Sequence, residues 1–96
     1  MHFGEKIKEL RENKGLLQRQ LAANLEIDTP MFSKIERGER KAKREQVVLL
    51  SKLLNFEEDE LLTIWLADQV YDLVAKDNNA IKALKLAENQ LKRKRK

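Results

Sequence analysis

Between positions 34 and 44 the chain carries Lys34, Arg37, Arg40, Lys41, Lys43 and Arg44 against only Glu36 and Glu39. Cations at this density suit phosphate oxygens, each contributing sequence-independent affinity that weakens with salt. Overlapping them stand Thr29, Pro30, Ser33 and Lys34, at i, i+1, i+4 and i+5, which share one face of a helix. The chemistry open to such a face is reading of base edges. Lys34 can donate to guanine O6 or N7, Ser33 to a base or a phosphate, and the Thr29 methyl can pack on a thymine methyl. Pro30 offers apolar contact alone, and Met31 suits either the core or a thymine methyl. Gln18 opens a short apolar-periodic segment upstream, where its amide and free backbone N–H groups can reach one phosphate. The bland counterpart is a solvated basic loop, and only the position of the cations directly behind the candidate reading face favours nucleic acid over it.

Positioning such a face requires a second helix behind it. Residues 18–38 read as a helix-turn-helix: Leu21, Ala22 and Leu25 line one face of a first helix, and Ile27, Phe32 and Ile35 supply the turn and the inner face of a second. Asp28, Thr29 and Pro30 mark the start of the second helix, since an Asp or Thr oxygen caps free N–H groups and Pro is tolerated in a first turn. Gly38 marks its end. Ahead of the pair, Phe3, Ile7 and Leu10 predict an amphipathic helix over residues 3–14, ended by Gly15. Behind it, Val47, Leu50 and Leu54 with Val48, Leu49 and Leu53 predict a helix over residues 43–54, stopped by Asn55.

A fifth helix begins at the acidic run 57–60, where the helix dipole favours negative charge. Its apolar residues exceed one face. Leu62, Leu66, Val70 and Leu73 make one stripe, Ile64, Ala67, Tyr71 and Val74 an adjacent one, with Leu61 and Trp65 beyond both. Asp77, Asn78 and Asn79 break the pattern, and a sixth helix follows over residues 80–91 on the stripe Ala80, Leu84, Ala87 and Leu91. The tail 92–96 is expected to fray. Leu66, Val70, Leu73, Asp77, Ala80, Leu84, Ala87 and Leu91 alternate in steps of four and three, the spacing of a coiled-coil seam. The surplus apolar surface predicts a homodimer held through Ile64, Trp65, Tyr71, Leu84 and Leu91, with two helices folding on each other and the partner preferred over one long rod.

Composition narrows the remaining classes. The chain has 96 residues, no Cys and a single His at position 2, so neither a Cys/His metal cluster nor a His-based triad is expected. No enzyme activity, cofactor or metal is predicted. No apolar run approaches a membrane span and the Met1 end lacks a secretory stretch, so a cytoplasmic protein with no membrane partner is expected. The net charge of +4 is local: without Lys92, Arg93, Lys94, Arg95 and Lys96, fifteen basic residues face sixteen acidic ones, a balance of −1. Charge separated in this way gives one face that prefers a polyanion.

These residues resemble the Xre or Cro-like helix-turn-helix DNA-binding proteins, which include phage repressors and restriction-modification controller proteins. The resemblance covers residues 3–66 and rests on Ile7, Leu10-Arg11, Gly15-Leu16, Gln18, Leu21-Ala22, Ile27, the run Phe32-Ser33-Lys34-Ile35-Glu36-Arg37-Gly38, and Leu53-Leu54. The chain departs from that pattern at Glu26, where Gly is usual, and at Leu17, where Thr is usual; Glu26 is expected to take a partly strained turn conformation that costs on the order of 1 kcal/mol. The resemblance implies an all-α, compact five- to six-helix lambda-repressor-like DNA-binding domain over residues 1–66, with a C-terminal helical dimerisation extension and basic tail over residues 67–96. It further implies an Arg11–Glu36 ion pair orienting the recognition helix, a double-stranded DNA partner, and a bacterial or phage origin at the nucleoid. The expected function is a sequence-specific transcriptional regulator, an activator or a repressor, dimeric on two half-sites. The alternative is an antitoxin-type protein that binds a partner toxin and its own promoter.

Overall fold

A computed structural model describes residues 2–95. They form α1 (His2–Asn13), α2 (Gln18–Asn24), α3 (Thr29–Glu36), α4 (Arg44–Leu53), α5 (Glu58–Val74) and α6 (Ala80–Lys94), with no strand among the described residues. The all-helical architecture agrees with the periodicity. α1 packs on α3 and α5, α2 on α3, and α4 on α5. Phe3, Ile7, Leu21, Ala22, Leu25, Phe32, Ile35, Ala42, Val47, Leu50, Leu54 and Leu61 form one buried core.

A residue in left-handed geometry follows each of the first four helices. Gly15 (φ 67°) and Gly38 (φ 77°) take the left-handed geometry past α1 and α3, and Asn55 (φ 51°) does so past α4. Glu26 stands at φ 59° in the α2–α3 turn. This side chain therefore bears the strain that Gly would avoid. Leu17 precedes α2 without a capping oxygen, and its N–H donates instead to Gln20 Oε1 at 2.7 Å. Gly4 has a packing reason that spacing does not reveal: an added Cβ would collide with the Ile35 and Glu36 carbonyl oxygens, so α1 lies directly on the end of α3.

The stripe that α5 buries differs from either one projected from its apolar residues. Leu61 and Asp68 are buried, with half-buried Trp65 between them at i+4. Asp68 Oδ2 accepts the Phe3 N–H at 2.7 Å, so a carboxylate meets the positive end of α1. Leu66, Val70, Tyr71 and Leu73 are left exposed. The α5–α6 break falls at Asp77, whose Oδ1 accepts the Asn79 N–H at 2.8 Å. α6 buries none of its residues, yet it continues through residues 92–94 instead of fraying. Lys and Arg are good helix formers, their charge complements the C-terminal dipole, and Lys92 pairs with Glu88 one turn earlier at 3.3 Å. Position 96 lies outside the described residues. Among the described residues no helix is long and apolar enough to cross a membrane.

Candidate nucleic-acid interface

α3 is set by its cap and its inner face. Asp28 Oδ1 accepts the Met31 N–H at 2.7 Å, Pro30 occupies the first turn, and Phe32 and Ile35 are buried against α1 and α2. Thr29, Pro30 and Lys34 consequently face outward, Ser33 is half-buried, and Met31 is half-buried beside them. The Lys34 carbonyl accepts the Glu39 N–H, whereas its Nζ has no hydrogen-bond partner among the described residues. The Ser33 hydroxyl accepts from Arg37 Nη1, a bond that a base or phosphate would have to replace.

Arg11 and Glu36 join α1 to α3. Arg11 Nε and Nη2 donate to Glu36 Oε2 and Oε1 at 2.7 and 3.2 Å, and Nη1 donates to the Leu16 carbonyl at 2.9 Å. Both residues are buried, at 9% and 6% exposure, so this fork has little water to compete with. Its hydrogen bond with Glu36 holds the guanidinium above its ordinary pKa against the opposing effect of burial. Gln18 joins the same group, because its Nε2 donates to Glu36 Oε1 at 2.8 Å. The amide is thus tethered to α3, while at the start of α2 Leu17 offers no side-chain oxygen and the Gln20 N–H donates to the Leu17 carbonyl at 3.1 Å.

The cations behind α3 fall into distinct settings. Arg37 Nε and Nη2 donate to Glu39 at 2.8 and 3.2 Å, which raises the arginine and lowers the carboxylate from their ordinary values through that hydrogen bond. Arg37 is therefore already partnered on the surface. Arg40 is exposed without a hydrogen-bond partner among the described residues. Lys41 Nζ donates to Gln69 Oε1 at 3.3 Å, and the Arg44 guanidinium lies 5.7 Å from the centre of the Trp65 ring. Lys43 is exposed at the N-cap of α4, where its N–H donates to Gln46 Oε1 at 2.8 Å.

The sequence matches the helix-turn-helix domain family over residues 2–63. The chain belongs to that family. Over 63 residues, 66% of its length, this helix-turn-helix chain is 38% identical to the HTH-type transcriptional activator BcrR of Enterococcus faecalis. The matched stretch covers 31% of that relative, so the chain spans about a third of its length. No solved structure matches the chain.

Within this helix-turn-helix, the structure brings Thr29, Pro30 and Lys34 to one outward face and sets Arg40, Lys41, Lys43 and Arg44 along the segment that follows. Of the side chains with a suggested place in a dimer, Tyr71, Leu84 and Leu91 are exposed, whereas Ile64 packs against the core. Trp65 also turns inward, with Nε1 donating to the Ala42 carbonyl at 2.8 Å. Asp68 and Gln69 escaped detection as positioning residues because a polar side chain interrupts an apolar stripe. The signal was their placement at i+3 and i+4 from Trp65, on the side of α5 that faces the basic loop.

Proposed function

We propose that the chain is a sequence-specific, double-stranded DNA-binding transcriptional regulator that acts as a homodimer on two half-sites. The observation that carries this reading is the outward face of α3, bearing Thr29, Pro30 and Lys34, followed at once by the exposed cations Arg40, Lys41, Lys43 and Arg44. Insertion of that face in the major groove puts Lys34 at base edges and the cations at flanking phosphates. Gln18, at the start of α2, approaches a phosphate beside its backbone N–H groups, and Arg37 exchanges Glu39 for one. Residues 1–66 are the DNA-binding domain and residues 67–96 the dimerisation extension, although Asp68 anchors α1 from just beyond that boundary.

Dimerisation supplies the specificity that one helix lacks, since a single recognition helix reads only a few base pairs. Thr63, Leu66, Ala67, Val70, Tyr71 and Val74 of α5 line an apolar groove with Leu84 of α6. That surface supports an association between copies, and no cofactor is needed for the reading. Selection of bound sequences from random duplexes tests it: a preferred site with two related half-sites is expected. Equal recovery of all sequences would remove the claim of specificity. Purification without added DNA addresses the antitoxin alternative, which predicts a second, different polypeptide in stoichiometric amount.

A further inference from the structure

We infer that Trp65 is a positioning residue for the phosphate grip: it fixes the loop behind the recognition helix and holds Arg44 ready for DNA. The inference rests on the DNA-binding reading and assigns to α5 a task within it. Three contacts converge on the loop from α5. Trp65 Nε1 donates to the Ala42 carbonyl at 2.8 Å, the Trp65 ring underlies Arg44 at 5.7 Å, and Gln69 Oε1 accepts from Lys41 at 3.3 Å. Gln69 is itself held, with Nε2 donating to the Trp65 carbonyl one turn earlier at 3.4 Å. Ala42, between the two cations, is 1% exposed and belongs to the core.

Each contact removes a different freedom. The indole hydrogen bond fixes the backbone between Lys41 and Lys43, and burial of the Ala42 methyl prevents that peptide from turning over. An arginine above a tryptophan face keeps its charge and its edge N–H groups, because the ring quadrupole attracts the cation without using those donors. Arg44 thus remains able to bind a phosphate while having fewer rotamers to lose on doing so. Lys41 is restrained by a neutral amide, which holds a cation without cancelling its charge. Arg37, whose charge is paired with Glu39 while Nη1 donates to Ser33, shows the opposite arrangement within the same segment.

The test uses the full chain, a random-sequence duplex and titrations across a range of salt concentrations. Trp65→Leu removes both the ring and the indole donor, and Arg44→Ala removes the cation. We expect Trp65→Leu to weaken binding several-fold, to flatten the dependence of log affinity on log salt toward that of Arg44→Ala, and to cost less on top of Arg44→Ala than it costs alone. A purely structural role for Trp65 would lower thermal stability while leaving the salt slope of the folded fraction unchanged, and that result would overturn the inference. So would additive losses in the double variant. Because Trp65 is the sole tryptophan, its emission in the unmutated protein gives a second measurement. Emission should change on saturation with duplex, and by less in Arg44→Ala; a constant emission refutes the placement. Failure of the unmutated chain to bind duplex at all would instead overturn the DNA-binding reading together with the inference.

Discussion

Glu36 accepts three donors, from Arg11 and Gln18, on a side chain that is almost wholly buried. Its negative charge is what makes an arginine tolerable there. Glu36→Gln leaves that arginine buried opposite a neutral amide and should cost about 3–5 kcal/mol, read as a lower midpoint in urea unfolding. A loss below about 1 kcal/mol would mean that water reaches the pair. The Arg37–Glu39 pair makes the contrast, because both partners lie on the surface. The folded Glu39 has a lowered pKa through its hydrogen bond to Arg37. Its contribution is therefore present above the ordinary carboxylate value and is lost as pH falls through the lower folded value. Full exposure keeps that contribution small. A carboxylate titration followed by NMR should find Glu39 below the other surface glutamates, and Arg37→Ala should return it to their range.

At the scale of elements, the proposed function assigns recognition to α3 and grip to the segment behind it. Lys34 projects from a helix fixed by an Asp cap and two buried apolar residues, whereas Lys41 sits on a loop. Lys34→Ala should weaken the preferred site by about 1–3 kcal/mol and flatten base preference at one position. Lys41→Ala should weaken all sequences alike and lower the salt slope by roughly one unit. Equal losses on preferred and random DNA for Lys34→Ala would reject its assignment to bases. α5 serves both sides of the molecule, since its Trp65–Gln69 side meets the basic loop and its Leu66, Val70 and Leu73 side is open.

For the whole molecule, the decisive feature is an apolar surface that one copy leaves uncovered. Leu73 is 84% exposed, Tyr71 66% and Ile81 64%, far more than a small monomer gains from displaying. Leu84→Glu places a charge in the α5–α6 groove. It should shift sedimentation toward the monomer and weaken binding to a two-half-site duplex, while circular dichroism shows the helix-turn-helix intact. Truncation after Ala75 should act in the same direction. A truncated protein that stays a tight dimer would move the interface to α5 alone, through Tyr71 and the rim of Ile64.

The helices were legible because each has a local cause: apolar residues at helical spacing, Asp28 and Pro30 at one start, Gly15, Gly38 and Asn55 at ends. The Asp77 break was legible for the same reason, since Asp and Asn satisfy backbone groups in turns more readily than in helices. The outward face of α3 followed from knowing its inward one. What spacing left open was every choice between surfaces of similar composition. α5 carries apolar residues around much of its circumference, so only packing against α1 and α4 decided that Leu61, Trp65 and Asp68 face inward and that Leu66, Val70 and Leu73 do not. A buried aspartate has no apolar signature, and its partner is a backbone N–H far away along the chain. The settings of Arg37, Lys41 and Arg44 were undecided for the same physical reason: a cation's role depends on what lies within a few ångströms of it, and folding brings those neighbours from other helices or from across a turn.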